Sequence, residues 1–208
     1  MTSVQVSGTQ GYADEAEELF KRYESIPAVD AHRAVLHLIP TAPSRVLNIG
    51  AGTGRDAAWF AASGHRVVAV EPTDAMRLPA MILHPSPLIE WLNDSLPELA
   101  LLRTRGESFD LVMLTAVWMH LDAQQRQRAM PNVASLVREG GTMIMKIRHG
   151  PVPVGRRMFE ITPEETIELA GQQELDSVLN LRTQSSQEAN RAAGVSWTSL
   201  AFVKAKSW

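Results

Sequence analysis

Three alternating glycines, Gly50, Gly52 and Gly54, follow the short apolar run RVLNI at residues 45–49 and precede a helical pattern. Glycine at such a turn lets the chain reverse tightly and lets a ligand approach the backbone closely. The helix that follows presents unpaired N–H groups and the positive end of its dipole. The turn is therefore a candidate nucleotide-binding site, the alternative being a plain strand-to-helix connection.

The spacing of these glycines selects among nucleotide-binding folds. A dinucleotide fingerprint requires G-x-G-x-x-G, and Arg55 occupies the position of its third glycine. A phosphate-binding loop requires Gly-Lys followed by Ser or Thr, which this sequence does not contain. The pattern that remains, G-x-G-x-G, is followed by Glu71, 21 residues after Gly50. A carboxylate at the end of the second strand can accept hydrogen bonds from both hydroxyls of a ribose, whereas the simpler alternative is a surface acid beside Pro72.

With these two features the chain resembles the class I S-adenosylmethionine-dependent methyltransferases, in particular small bacterial methyltransferase-domain proteins. The resemblance covers about residues 45–148 and is carried, in the family's order, by NIGAGTG, VVAVEP, LNDSLPEL, FDLVMLTAVWMHL and REGGTMIMKIR. It implies a doubly wound, mostly parallel seven-stranded α/β sheet with an antiparallel last strand from about Trp197. It also implies an enzyme that uses S-adenosyl-L-methionine as cofactor and methylates a small-molecule acceptor by in-line displacement.

The resemblance further implies which residues hold the cofactor. Asp94 matches the position that binds the adenine amino group, and Thr115 matches a position beside the methyl donor. The implied cofactor-binding set is Asn48, Gly50, Ala51, Gly52, Gly54, Glu71, Pro72, Asn93, Asp94, Ser95 and Thr115. The family usually carries Asp or Glu where this chain has Asn48, so one negative charge is missing from the expected site. An Asn-Asp pair is also a common strand-end turn, which leaves a structural role for Asp94 open.

His120 is the candidate catalytic base. A sulfonium donor is already activated by its charge, so the protein mainly aligns the reactants. A general base is needed only when the acceptor is a hydroxyl or a protonated amine. His120 follows the fourth strand, and the ordinary pKa of histidine suits neutral pH; the alternative is a histidine that packs against the next helix.

A basic cluster follows the fifth strand. It consists of Arg148, His149, Arg156 and Arg157 in a loop rich in proline and glycine. The cluster fits an anionic substrate or the carboxylate of the donor, and it equally fits a solvated loop.

The elements around these residues alternate between strand and helix. Apolar strand segments are expected at residues 45–49, 66–71, 88–92, 109–114 and 142–147. Continuous apolar strands separated by helices indicate a parallel sheet that is covered on both faces. A helix over 122–137 contains Pro131, which predicts a kink or a break.

We expect a single domain in three parts. Residues 1–44 form an N-terminal helical lid, with helices from about residue 13 to Pro27 and from Asp30 to Ile39. Residues 45–148 form the cofactor-binding core. Residues 149–208 form a C-terminal helix over 162–173 and closing strands over 175–181 and 197–204, with a long polar loop between the strands. In the family such N-terminal helices, here with Tyr12, Arg22 and Tyr23, often close over the cofactor.

Composition excludes several classes of function. The 208 residues include no cysteine, which removes disulfides, thiolate metal sites and cysteine nucleophiles. The net charge of −3 disfavours a nucleic-acid partner. The six histidines show no metal-ligand spacing, so no metal is expected. The start MTSVQVSGTQ does not read as a signal peptide, and the longest apolar run has nine residues, so we expect a cytoplasmic protein without membrane contact.

Two other functions stay open at this point. One is an NAD(P)-dependent oxidoreductase, which shares the sheet and the ribose acid but requires the glycine spacing that fails here. The other is a non-catalytic methyltransferase-like binding module, which Asn48 makes more credible.

Overall fold

A seven-stranded sheet forms the centre of the computed structural model, which describes residues 6–206. Its strands are β1 (Arg45–Ile49), β2 (Arg66–Val70), β3 (Ile89–Leu92), β4 (Phe109–Thr115), β5 (Val137–His149), β6 (Leu175–Gln184) and β7 (Ser196–Lys204). The order is β3-β2-β1-β4-β5-β7-β6; β1 to β5 pair in parallel, and β7 is antiparallel to both of its neighbours. The predicted α/β fold, including its antiparallel last strand, is confirmed.

Helices flank the sheet and connect its parallel strands. The α-helices are α1 (Ala16–Glu24), α2 (Ala28–Ala31), α3 (Arg55–Ala62), α4 (Asp74–Leu83), α5 (Ala100–Thr104), α6 (Ala123–Ser135), α7 (Pro163–Gly171) and α8 (Glu188–Ala192). Two 3₁₀ helices span Arg33–Leu38 and Trp118–His120. Within residues 6–206, no helix is long and apolar enough to cross a membrane.

The central strands carry apolar side chains on both faces of the sheet. On β4, Val112 and Leu114 pack into a layer shared with Met130 of α6. The alternate residues Leu111 and Met113 pack into the opposite layer. Both faces are therefore buried, which explains why the strands read as continuous apolar runs and not as alternating patterns.

The second predicted helix, Asp30 to Ile39, is wrong in detail. The chain forms α2, turns at His32 with φ −109° and ψ 11°, and continues as the 3₁₀ helix Arg33–Leu38. The His32 side chain is directed into the interior, where its Nε2 lies 2.8 Å from Oδ2 of Asp56 on α3. This long-range contact outweighs the local preference for a continuous helix.

Of the kink or break predicted at Pro131, the break does not occur, because α6 runs as one helix from Ala123 to Ser135. Proline removes the N–H that would bond the carbonyl of Gln127. Pro131 and Gln127 are both exposed, so water can serve that carbonyl. Two short helices, α5 and α8, were not expected, and α8 lies within the segment predicted as a long polar loop.

A buried ionic cluster ties the N-terminal residues to the sheet domain. The His32 and Asp56 side chains are 1% and 7% exposed, and Nη2 of Arg55 lies 2.7 Å from Oδ1 of Asp56. Burial alone would raise the pKa of the Asp56 carboxyl, but His32 and Arg55 outweigh it and hold that pKa well below its usual range. A lowered carboxyl pKa contributes stability above the unfolded-state value of about 3.9, and this stability is lost as the pH falls through the folded-state value.

We expect Asp56→Ala to lower the free energy of unfolding by about 3 kcal/mol, because it leaves the other members of a buried ion pair without a partner. For a chain of this length the melting temperature should fall by about 6–12 °C. Asp30→Ala is the matched control, since Asp30 pairs with Arg33 on the surface of the same N-terminal segment. Its effect should stay within about 1 kcal/mol. Equal losses in the two variants at pH 7 would contradict the role given to Asp56.

Candidate functional site

A cavity of about 330 Å³ opens at the carboxyl ends of the parallel strands. Its walls come from the turns after β1, β2, β3 and β4, and from the N-terminal residues before α1. Open α/β sheets bind their ligands at this edge, where neighbouring strand ends diverge. The volume falls in the range of small-molecule sites.

The glycine turn forms one wall of this cavity. The backbone N–H groups of Gly50 and Ala51 both donate to the Val70 carbonyl, at 2.8 and 2.9 Å. Gly50 has φ +69°, and a Cβ on it would lie 2.4 Å from Cγ2 of Val117. Gly52 has φ +57°, and the space beside it holds no atom within 4 Å. The turn therefore needs glycine at residue 50, and at residue 52 it leaves open space beside the backbone.

Glu71 lies directly after β2 and is 7% exposed. Its Oε2 accepts the N–H of Gly52 and its Oε1 accepts the N–H of Thr73, each at 2.9 Å. Burial raises the pKa of the Glu71 carboxyl, and these N–H groups oppose the shift without cancelling it. The Thr73 side chain also hydrogen-bonds this carboxyl, which with about four acceptor positions still has capacity for a hydroxyl group of a ligand.

Asp94 and Thr115 line the cavity from the ends of β3 and β4. The Asp94 carboxylate accepts the N–H of Ser95 at 2.8 Å and the N–H of Leu102 at 2.9 Å, so it also organises the approach to α5. The Thr115 hydroxyl oxygen is buried and has no hydrogen-bond partner within residues 6–206. A buried hydroxyl without a partner in a cavity wall fits a site that receives a polar ligand.

Most of the residues expected at the site lie in the wall of this cavity. They are Gly50, Ala51, Gly52, Glu71, Pro72, Asp94, Ser95, Thr115 and His120. Asn48, Gly54 and Asn93 are not part of that wall. Asn48 is buried inside the sheet between Ala69 and Met113 of the neighbouring strands, at 3% exposure. A Cβ on Gly54 would lie 2.9 Å from the Trp91 ring, so packing explains this glycine. Cofactor contact by these three residues stays a prediction.

His120 forms a hydrogen-bonded pair with Tyr12 across the cavity wall. The Nδ1 of His120 lies 2.7 Å from the Arg157 carbonyl, which can only accept, so Nδ1 carries the proton. The Nε2 is then an acceptor, and the Tyr12 hydroxyl donates to it at 2.9 Å. Burial lowers the pKa of His120. The hydrogen bond to the Arg157 carbonyl raises this pKa, and the charges of Arg156 and Arg148 lower it further. Burial also raises the pKa of Tyr12 well above its usual value, so both side chains are neutral at pH 7.

The basic cluster expected after β5 does not converge on one point. Arg156 pairs with Glu15 at 2.9 Å and lies 4.2 Å from the centroid of the Tyr12 ring. Arg157 pairs with Asp122 at 2.9 Å. His149 lies 2.8 Å from the Thr198 hydroxyl and outside the cavity wall. Of the four residues, Arg148 alone lines the cavity without an ion pair to any residue between 6 and 206.

Comparison with known proteins identifies the central segment. Residues 46–141 match the sequence model of a methyltransferase domain. An uncharacterized methyltransferase of Mycobacterium tuberculosis is 35% identical over 117 residues, which is 53% of this chain and 42% of that protein. The chain thus spans less than half the length of this curated relative.

Solved structures of the same fold cover almost the whole chain. The 1,6-didemethyltoxoflavin N1-methyltransferase of Burkholderia thailandensis, with bound 1,6-didemethyltoxoflavin and S-adenosylhomocysteine, superposes with a TM-score of 0.72 at 22% identity. That match covers 94% of this chain and 86% of the other. The N-methyltransferase NodS of Bradyrhizobium japonicum, in complex with S-adenosylhomocysteine, gives 0.70 at 17% identity and covers 93% and 98%.

We expect Gly50→Ala to destabilise the protein by about 2–4 kcal/mol, because it combines a left-handed backbone with a clash against Val117. Gly106→Ala is the matched control: Gly106 has φ +62°, and a Cβ added to it would meet no atom within 4 Å. The control should lose about 1 kcal/mol, for the backbone conformation alone. Urea unfolding at equal protein concentration measures both losses, and a Gly50→Ala loss no larger than the control would contradict the packing of this turn.

Proposed function

We propose that this chain, whose residues 46–141 carry a methyltransferase domain on the class I S-adenosylmethionine-dependent fold, transfers a methyl group from S-adenosylmethionine to a small-molecule acceptor. The methyltransferase-domain match over residues 46–141 and the shared fold support the assignment to this class that was made from the sequence. The observation that carries the proposal for this chain is the buried Glu71 carboxyl, held against the Gly52 backbone at the cavity wall. A carboxylate there suits the two hydroxyls of a ribose.

The residues of the cavity fit this cofactor in three places. Glu71 would hold the ribose, and Asp94 with Ser95 would hold the adenine end. The backbone of Gly50 to Gly52, with open space beside Gly52, would accept the methionine end. When bound, S-adenosylmethionine supplies a methyl group on a positively charged sulfur, and this sulfur leaves when a nucleophile attacks the methyl carbon in line with the carbon–sulfur bond. The contribution of the protein is to align the acceptor and to exclude water.

A small acceptor is supported by the shape and charge of the site. The cavity of about 330 Å³ is bounded by N-terminal residues as well as by the sheet edge. The net charge of −3 provides no excess of cations for a nucleic-acid backbone. The similar enzyme from Burkholderia thailandensis was solved with a small molecule, 1,6-didemethyltoxoflavin, in its complex.

We further propose that Tyr12 and His120 remove a proton from the acceptor. The neutral His120 accepts from the Tyr12 hydroxyl, and both residues line the cavity. As the acceptor loses its proton to the Tyr12 oxygen, the Tyr12 proton moves to Nε2 of His120. The Nδ1–H bond to the Arg157 carbonyl then stabilises the imidazolium that forms. Acceptors that are already anionic need no such step.

We expect the native chain to bind S-adenosylhomocysteine in calorimetric titration and to leave NADH unbound. Glu71→Gln should weaken S-adenosylhomocysteine binding about 10- to 150-fold, the range of a charged hydrogen bond of about 1.5–3 kcal/mol. Glu90→Gln, which alters a carboxylate that is 53% exposed on β3, is the control and should bind as the native chain does. Preferential binding of NADH would favour an oxidoreductase, and unchanged affinity in a folded Glu71→Gln variant would falsify the ribose assignment.

We expect His120→Ala to lower turnover by about 100-fold at saturating cofactor while cofactor affinity stays near the native value. Tyr12→Phe should lower turnover in the same direction, and high pH should partly restore both variants because the acceptor then ionises without help. Since burial lowers the pKa of His120, the native activity should persist in acid until below about pH 6.5. An acceptor identified by screening nucleophilic small molecules with radiolabelled donor provides the assay.

A purely structural role of His120 predicts a different result for the same variant. If His120 only packs, His120→Ala should lower the melting temperature and leave turnover per folded molecule unchanged. The base assignment then fails, while the methyltransferase proposal is untouched.

A further inference from the structure

Every carboxylate in the wall of the cavity already has a partner. Glu15 pairs with Arg156, and Asp56 is held by His32 and Arg55. Glu71 and Asp94 accept backbone N–H groups. None of these four carboxylates forms an ion pair with Arg22, Lys146 or Arg148.

Three cations in the same wall have no carboxylate within ion-pair distance in the described part of the chain. They are Arg22, Lys146 and Arg148. The Nζ of Lys146 donates to the Ala31 carbonyl at 2.6 Å and lies 5.2 Å from the centroid of the Trp197 ring. The Nη1 of Arg148 donates to the Pro151 carbonyl at 2.8 Å. Lysine and arginine carry three and five N–H donors, so each of these side chains keeps donors to spare.

The strand that carries Lys146 and Arg148 is separated from the strand that leads to Glu71, the proposed ribose-binding residue. Lys146 and Arg148 lie on β5, and Lys146 is in register with Thr115 at the end of β4. In the sheet order, β5 is two strands from β1 and three strands from β2. At roughly 4.8 Å per strand, the backbone of β5 lies about 10 Å from the strand that leads into the glycine turn and about 14 Å from the strand that leads to Glu71.

The two β5 cations are partly withdrawn from water. Burial lowers the pKa of Arg148, and the like charge of Arg22 acts in the same direction. Burial also lowers the pKa of Lys146, as does the charge of Arg55, while the charge of Asp56 acts in the opposite direction. A cation that is withdrawn from water and has no carboxylate in ion-pair distance is less stable than the same cation beside an anion.

We propose that Arg148, with Lys146 and Arg22, forms a subsite for an anionic group of the methyl acceptor, a carboxylate or a phosphate. The inference rests on the proposed function and adds the chemical class of its substrate. A planar guanidinium matches the two oxygens of such a group, and the ammonium of Lys146 adds a second charge. The subsite lies beside the ends of β4 and β5, so it orients the acceptor toward His120, in the 3₁₀ helix after β4, and toward its partner Tyr12.

The amino-acid carboxylate of the donor has the same chemistry and is the competing occupant. The donor carboxylate and an anionic group of the acceptor are distinguished by measuring anion binding on protein that is already saturated with S-adenosylhomocysteine. The carboxylate of S-adenosylhomocysteine then occupies the donor's carboxylate position, and any further anion must bind elsewhere. The probes are inorganic phosphate, benzoate and the neutral analogue benzamide, each at equal ionic strength made up with sodium chloride.

We expect phosphate or benzoate to bind the native complex and benzamide to bind at least tenfold more weakly than benzoate. Arg148→Gln should weaken binding of the anion by about tenfold or more and leave S-adenosylhomocysteine affinity within twofold. Arg138→Gln is the matched control, because Arg138 lies at the opposite end of β5 and pairs with Asp110 on the surface. It should bind the anion as the native chain does. If Arg148→Gln does not fold, Arg22→Gln at an exposed residue replaces it.

The outcomes separate this inference from the function on which it rests. Native protein that does not bind S-adenosylhomocysteine contradicts the proposed function and the inference together. Binding of S-adenosylhomocysteine without any anion binding contradicts the inference alone. A tenfold loss of S-adenosylhomocysteine affinity in Arg148→Gln would show that these cations bind the donor carboxylate, and it would also overturn the inference.

Discussion

The site depends on one buried carboxyl group, Glu71, which binds the backbone at two points. Because β1 and β2 are adjacent and parallel, their carboxyl ends meet, and Glu71 reaches the N–H of Gly52 from the end of β2. The N–H groups of Gly50 and Ala51 donate to the Val70 carbonyl, so three successive residues of the turn are hydrogen-bonded to the end of β2. Glu71 therefore helps to hold the turn in the conformation that leaves open space beside Gly52. The same carboxyl shapes the site and remains able to bind a ligand.

The N-terminal residues contact the cavity through polar side chains, in addition to the apolar packing of Val35 on the core. Tyr12 bonds His120, His32 bonds Asp56, and the Thr53 hydroxyl donates to Glu24 at the end of α1. Each contact joins a residue before β1 to the turn after β1, to the start of α3 or to the 3₁₀ helix after β4. Because such contacts are directional, they set the place of the N-terminal wall more closely than apolar packing would. The bond from Tyr12 depends on the neutral state of His120, whose Nε2 accepts it.

The sequence predicted the sheet and most of the cavity wall because their signals are local. The glycine turn, the apolar strands and Glu71 can each be recognised within a few residues, and strand ends of a parallel sheet necessarily meet at one edge. Contacts between distant residues could not be predicted in this way. Tyr12 and His120 are 108 positions apart, and the bond between His32 and Asp56 divides a helix that local preference would continue. Local pattern also gave no sign that Asn48 faces the sheet interior or that Gly54 is required by Trp91.

A crystal structure of the protein grown with S-adenosylhomocysteine tests the central claim most directly. The proposal predicts that both ribose hydroxyls lie within about 3 Å of the Glu71 carboxyl oxygens, in hydrogen-bonding range, while Gly52 and Thr73 keep their bonds to it. In the same structure the amino-acid end of the ligand would lie beside Gly50 to Gly52, and the carboxylate of the ligand would not contact Arg148. A nucleoside bound elsewhere in the molecule, or a ribose without contact to Glu71, would contradict the claim.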